Sequence, residues 1–74
     1  MITRDMILTF ARATPFRPFS IHLSDGREVK AAHPDSMFVS RGGTLFDEAD
    51  DGEITIFDLD HIASLNLKPR RRAA

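Results

Sequence analysis

Phe19, Ile21 and Leu23 alternate with Ser20, His22 and Ser24, and Asp25-Gly26 follows at once. No other stretch constrains the chain as much. Strict alternation makes one apolar face, and Asp-Gly turns the strand back on itself. The register is then a choice between two loops. A two-residue loop sets Leu23 opposite Glu28 and Ile21 opposite Lys30, mixing charge with core. A three-residue loop, Ser24-Asp25-Gly26 with Gly26 left-handed, sets Ile21 opposite Val29 and Phe19 opposite Ala31. Register follows the need to keep one face apolar. The three-residue loop is therefore expected, with His22 across from Glu28 on the outer face.

The segments on either side read as one helix and several more strands. Thr3 is the expected N-cap, with Asp5 in the first turn where the helix dipole favours a carboxylate. On a helical wheel Ile2, Met6, Ile7, Phe10, Ala11 and Ala13 gather on one side, and Arg4, Asp5, Thr9 and Arg12 on the other. That is the pattern of a helix lying on a core, with Leu8 outside the apolar arc. Pro15 disfavours helical geometry at Thr14 and ends the helix there. Pro15-Phe16-Arg17-Pro18-Phe19 follows as a stiff extended connector anchored by its phenylalanines.

Beyond the hairpin, His33-Pro34-Asp35 is a turn, since proline cannot donate to a ladder. Met37 to Arg41 is a third strand, and Gly42-Gly43 turns it into a short fourth at Thr44 to Asp47. Here two registers stay open. In one, Val39 and Leu45 face inward and leave Phe38 and Phe46 as a cross-strand pair on a face that the helix or a partner must cover. The acidic loop Glu48 to Gly52 leads to a fifth strand, where Ile54 and Ile56 alternate with Glu53 and Thr55. Asp58 to His61 is a tight turn, and Ala63, Leu65 and Leu67 alternate with Ser64 and Asn66 in a last strand. The fold class is α+β: an N-terminal helix, then five or six short antiparallel strands forming a strongly bent sheet or a small SH3-like or Sm-like barrel. Closure removes exposed edges. An open sheet with the helix on one face is the alternative.

Length and composition narrow what such a domain does. A chain of 74 residues is one domain, and one this small buries only about 60% of the surface its unfolded chain exposes. It has no cysteine, which removes disulfides, thiolate catalysis and thiolate zinc sites. The remaining supports are an economical core or burial against another chain. No stretch approaches the roughly 20 apolar residues that cross a bilayer. Arg4, Asp5 and Arg12 interrupt the N-terminal apolar segment, unlike a secretion signal, so a cytoplasmic location is expected.

The net charge of −1 hides an asymmetry, because four of the ten basic residues are Lys68, Arg70, Arg71 and Arg72. Residues 1–67 carry the other six basic side chains against all eleven acidic ones, a charge of −5. The expected organisation is a single domain over 1–67 and a disordered basic tail over 68–74. The body repels nucleic acid and the tail attracts it.

Several of these strings together resemble a family of short, uncharacterised bacterial proteins. The residues are Pro15-Phe16-Arg17-Pro18-Phe19, Ile21, Leu23, Asp25-Gly26-Arg27, Val29, His33-Pro34-Asp35, His61-Ile62 and Leu65. The resemblance runs from the helix to Leu67 and brings no activity, ligand or catalytic residue with it. Ile21 to Val29 also resembles the first hairpin of Sm-like RNA-binding proteins, a strand, Asp-Gly-Arg, and a strand. The Sm pattern continues with a glycine and then a separated Asp and Asn. This chain has Ala31-Ala32-His33-Pro34-Asp35 there, so the RNA-contacting positions do not transfer.

Each candidate site competes with a plainer reading. Asp58, Asp60 and His61 offer oxygen and nitrogen ligands, but a first-row metal needs three or four converging groups; a polar turn is the plainer reading. An EF-hand loop starting at Asp47 would have Ala49 at its third position, where an acidic or amide residue is required. His22, His33 and His61 are conventional bases and Ser20, Ser24, Ser36, Ser40 and Ser64 offer hydroxyls, but no Gly-x-Ser-x-Gly elbow is present. Gly42-Gly43 is a hairpin turn and not a phosphate-cradling strand-to-helix junction. The sequence thus argues for a protein that is not an enzyme and takes no metal or cofactor. The leading expectation is a non-catalytic interaction or assembly module, homo-oligomeric or bound to a protein partner, with Leu8, Phe38 and Phe46 as candidate interface residues. The alternative is an Sm-like module that binds single-stranded RNA through Lys68, Arg70, Arg71 and Arg72, with an exposed phenylalanine for stacking.

Overall fold

Two three-stranded antiparallel sheets and one helix make up the computed structural model, which describes residues 1–67. The helix α1 spans Arg4–Ala11. Thr3 caps it in extended conformation, its hydroxyl accepting the backbone N–H of Met6 at 3.2 Å. The helix stops at Ala11, short of Thr14. The Ala13 N–H turns back to the Phe10 carbonyl at 3.4 Å, a tightened last turn that releases the chain before Pro15. Ile7 is wholly buried, whereas Met6 on the apolar arc is exposed. Leu8, which the wheel sets apart, is half-buried and packs against the core. Two long-range contacts thus pull the helix about its axis, Ile7 and Leu8 toward the core and Arg4 to the Ser40 carbonyl at 3.1 Å.

The strands are β1 (Phe19–Leu23), β2 (Glu28–Ala31), β3 (Met37–Val39), β4 (Thr44–Glu48), β5 (Ile54–Asp58) and β6 (Ile62–Leu67), with a 3-10 turn over Leu59–His61 before β6. The sheet orders are β2-β1-β6 and β3-β4-β5. An α+β class is what the structure shows. The strand pairing does not join the two sheets into a closed barrel.

The first hairpin has the three-residue loop. Phe19 faces Ala31, Ile21 faces Val29 and His22 faces Glu28, and the Leu23 N–H closes the loop on the Arg27 carbonyl at 2.8 Å. Gly26 sits at φ +95° with open space where a Cβ would stand. A Gly26→Ala change therefore meets only the backbone penalty. A loss of about 1–2 kcal/mol is expected, read as a lower midpoint in thermal unfolding followed by circular dichroism.

In the second sheet Phe38 faces Phe46 and Val39 faces Leu45, the inward-Val39 register. On β5 the apolar side reverses: Phe57 faces Leu45 and is buried, while Ile56 faces Phe46 and Ile54 faces Glu48 on the outer side. Ile54 and Ile56 are thus surface residues, because Phe57 occupies the inward parity that the core requires. On β6 a bulge lets Ile62 pair with Leu23 while Ser64 pairs with His22, leaving Ala63 as the extra residue. The bulge turns Ile62 to the same side as Leu65, and both pack on the core. That core is Ile7, Phe19, Ile21, Leu23, Val29, Ala31, Val39, Leu45 and Phe57, drawn from the helix and both sheets.

Candidate functional site

The strongest surface feature follows from the β3-β4-β5 register. Alternation puts Phe38, Phe46 and Ile56 in one row across three strands, with Ile54 beside them. They are 63%, 37%, 57% and 62% exposed, and the two phenylalanine rings lie 6.0 Å apart at a 46° tilt. Free side chains of this size show on the order of 150–250 Å² each, so the patch amounts to roughly 400 Å², as large as the biggest patches on ordinary monomers. The helix packs on the other side of this sheet, so nothing in the chain described covers it. Phe38 and Phe46 are together, as in one of the two registers the sequence left open. Ile54 and Ile56 complete the patch, and the signal for them was Phe57, one residue on, competing for the core. Leu8 is not part of it.

A groove of about 210 Å³ opens at one end of this patch, with Met37, Phe38, Phe46 and Ile54 as its apolar lining and Asp35 and Glu48 among its polar ones. Asp47 of β4, which also lines it, faces Met37 and Thr55. Asp47 is only 3% exposed, and its Oδ1 is buried with no hydrogen-bond partner. Burial pushes its carboxyl above the ordinary value of 3.8. The folded state then holds a proton that the unfolded chain releases at lower pH. The contribution of this group to stability is highest below the ordinary value and falls as pH rises through the raised one. Asp47→Asn should gain about 1 kcal/mol at neutral pH, with the gain shrinking toward pH 4. A thermal-unfolding series over pH reads this directly, and a gain that is constant with pH would assign it to something other than the charge.

A second constellation lies on the outer face of the other sheet. Glu28, His22 and Ser64 form a cross-strand row. His22 Nε2 stands 3.4 Å from Glu28 Oε2, and its Nδ1 stands 3.4 Å from Ser64 Oγ and 2.7 Å from Asn66 Nδ2. The residue types are those of a hydroxyl nucleophile, base and acid, but the short contact on the imidazole belongs to Asn66. The row lies on an open sheet face, and a tetrahedral oxyanion needs donors aimed at it. It is a satisfied polar row.

The remaining candidates are placed as follows. Asp58 accepts the Thr44 hydroxyl at 3.2 Å, and no group of three histidines or carboxylates able to hold a metal occurs among the described residues. Asp58 and His61 do share a cleft of about 540 Å³ between the sheets with Ser24, Asp25 and Arg27. There Asp25 accepts the Arg27 backbone N–H at 3.0 Å and its Nε at 2.8 Å. The backbone bond foremost, with the guanidinium, holds the Asp25 carboxyl below its ordinary value. The acidic loop is tied back by His33, whose Nε2 is 3.2 Å from Asp50. Lys68, Arg70, Arg71 and Arg72 lie outside the described residues. No described helix is long and apolar enough to cross a membrane.

Comparison with family models, with curated proteins and with solved structures finds no match for this chain.

Proposed function

We propose that this protein is a small cytoplasmic interaction module that assembles with itself through the outer face of the β3-β4-β5 sheet and carries out no catalysis. One observation carries the reading: four large apolar side chains exposed together on one sheet face, in a 74-residue chain without cysteine. Two such faces in contact remove roughly 800 Å² of apolar surface, and a polar rim brings this toward the 1,200–2,000 Å² of a stable interface. Gains of that order against the cost of association place self-association in the micromolar range. We also read the two sheets as halves of an SH3-like barrel open at its seams, supported by the return of β6 to β1 after the 3-10 turn. The kinship with short bacterial proteins belongs to the same reading.

Sedimentation equilibrium of the full chain across the micromolar range tests this. A concentration-dependent rise to twice the chain mass is expected, and a monomer at high micromolar concentration overturns it. The RNA-binding alternative has the exposed Phe38–Phe46 pair in its favour, as a platform for stacking. Asp35 and Glu48 beside that pair oppose a phosphate backbone. The chain has no Trp and no Tyr, so a nucleic-acid absorption band that survives a salt wash would move RNA binding to first place.

A further inference from the structure

The groove at the end of the apolar patch has a chemistry of its own. Its lining is an apolar floor with Ser36 and three acidic residues, of which Asp47 is buried and Asp35 and Glu48 are the exposed carboxylates. Neither exposed carboxylate forms an ion pair with a described residue; the ion pairs among the described residues are His22–Glu28, Arg27–Asp25 and His33–Asp50, all outside the groove. A group that suits both floor and carboxylates has an aliphatic stem and a cationic head, which describes a lysine or arginine side chain. The exposed Phe38 ring adds a π-face that attracts such a cation.

The chain itself supplies such side chains. The first 67 residues carry −5, and the remaining four cations are Lys68, Arg70, Arg71 and Arg72. Phe38, Phe46 and Ile54 line the groove and also belong to the self-association face. Stacking two copies on that face brings two acidic bodies together, and like charges across an interface repel unless opposite charge is placed between them. We propose that the basic segment Lys68–Arg72 of one copy lies in the Asp35–Glu48 groove of a second copy. The inference rests on the self-association proposed above and adds what neutralises it.

The test uses full-length chains in sedimentation equilibrium at several salt concentrations. One variant replaces Lys68, Arg70, Arg71 and Arg72 by alanine; the other carries Asp35→Asn with Glu48→Gln. In the parent, salt should weaken association, because it screens an attraction. In the tail variant, association at low salt should fall roughly tenfold, the equivalent of a few exposed ion pairs, and added salt should now strengthen it by screening the repulsion left between acidic bodies. Mixing the two variants should recover part of the loss, since one intact tail then meets one intact groove. Unchanged association in the tail variant overturns the proposal while leaving self-association standing, and a mixture without recovery overturns contact between copies. If the parent is monomeric throughout, the self-association reading has failed. A synthetic peptide of residues 66–74 titrated into the tail variant then decides the contact: amide shifts in nuclear magnetic resonance confined to Asp35, Phe38, Phe46 and Glu48 support it, and their absence overturns it.

Discussion

Phe19→Ala is expected to leave the chain unfolded at room temperature. Phe19 is among the largest fully buried side chains and stands where three parts of the molecule meet. Its ring lies 5.6 Å from Phe10 of the helix and 6.2 Å from Phe16 of the connector, and its backbone pairs with Ala31 and Leu67. Truncating a buried phenylalanine costs about 3–5 kcal/mol, through lost transfer free energy and the cavity left behind. A domain of this size has a net stability of the same order, roughly 3–5 kcal/mol. Far-ultraviolet circular dichroism gives the answer, since the chain has no Trp or Tyr for fluorescence. A cooperative transition close to the parent's would mean that helix, connector and first sheet do not depend on this contact. Phe16→Ala, at a half-buried site, should unfold at a lower temperature but remain folded at room temperature.

The second large effect is expected at the surface. Phe38→Asp should leave the fold intact and weaken self-association at least a hundredfold. Phe38 is 63% exposed, so little of its burial is lost within the monomer. In the assembly the new carboxylate would be desolvated against the apolar side chains of Phe46 and Ile56. Central aromatic residues of an interface commonly account for 2 kcal/mol or more when truncated, and the desolvation of a charge adds to that. The same chain should keep the parent's thermal midpoint at dilution. If Phe38→Asp associates as tightly as the parent, the assembly uses another face. If it unfolds, Phe38 supports the monomer, and the proposal loses its main evidence.

How much of this was legible depends on the local signal. The first hairpin was readable to the residue because charge on one side of Leu23 and Ile21 leaves a single acceptable register. The Phe38–Phe46 pair was readable as one of two registers, since Phe38-Val39 and Leu45-Phe46 each place an apolar side chain on both faces. Ile54 and Ile56 were harder. Their alternation with Glu53 and Thr55 reads as a half-buried strand, and only the pairing of Phe57 with Leu45 shows which parity the core takes. Asp47 had no signal of its own, because an aspartate in an acidic run reads as solvated until β3 and β5 close over it. Leu8 differs for a related reason: a wheel describes a helix alone, while its rotation is set by what it packs on. The cross-strand partner of His22 on β2 was legible from the hairpin, and its partners Ser64 and Asn66 on β6 were not, since a bulge shifts that register.

The pairing of β1 with β6 has a consequence for how the protein is made. Sheet β3-β4-β5 is a meander in which each strand pairs with a neighbour in the chain. Strand β1 waits for a strand that emerges after every other element, at translation rates of about 5–20 residues per second. During those seconds the edge of β1 opposite β2 carries unpaired backbone groups beside Phe19, Ile21 and Leu23. Until β6 pairs with it, that edge of β1 is where the first sheet is open to a strand of another chain.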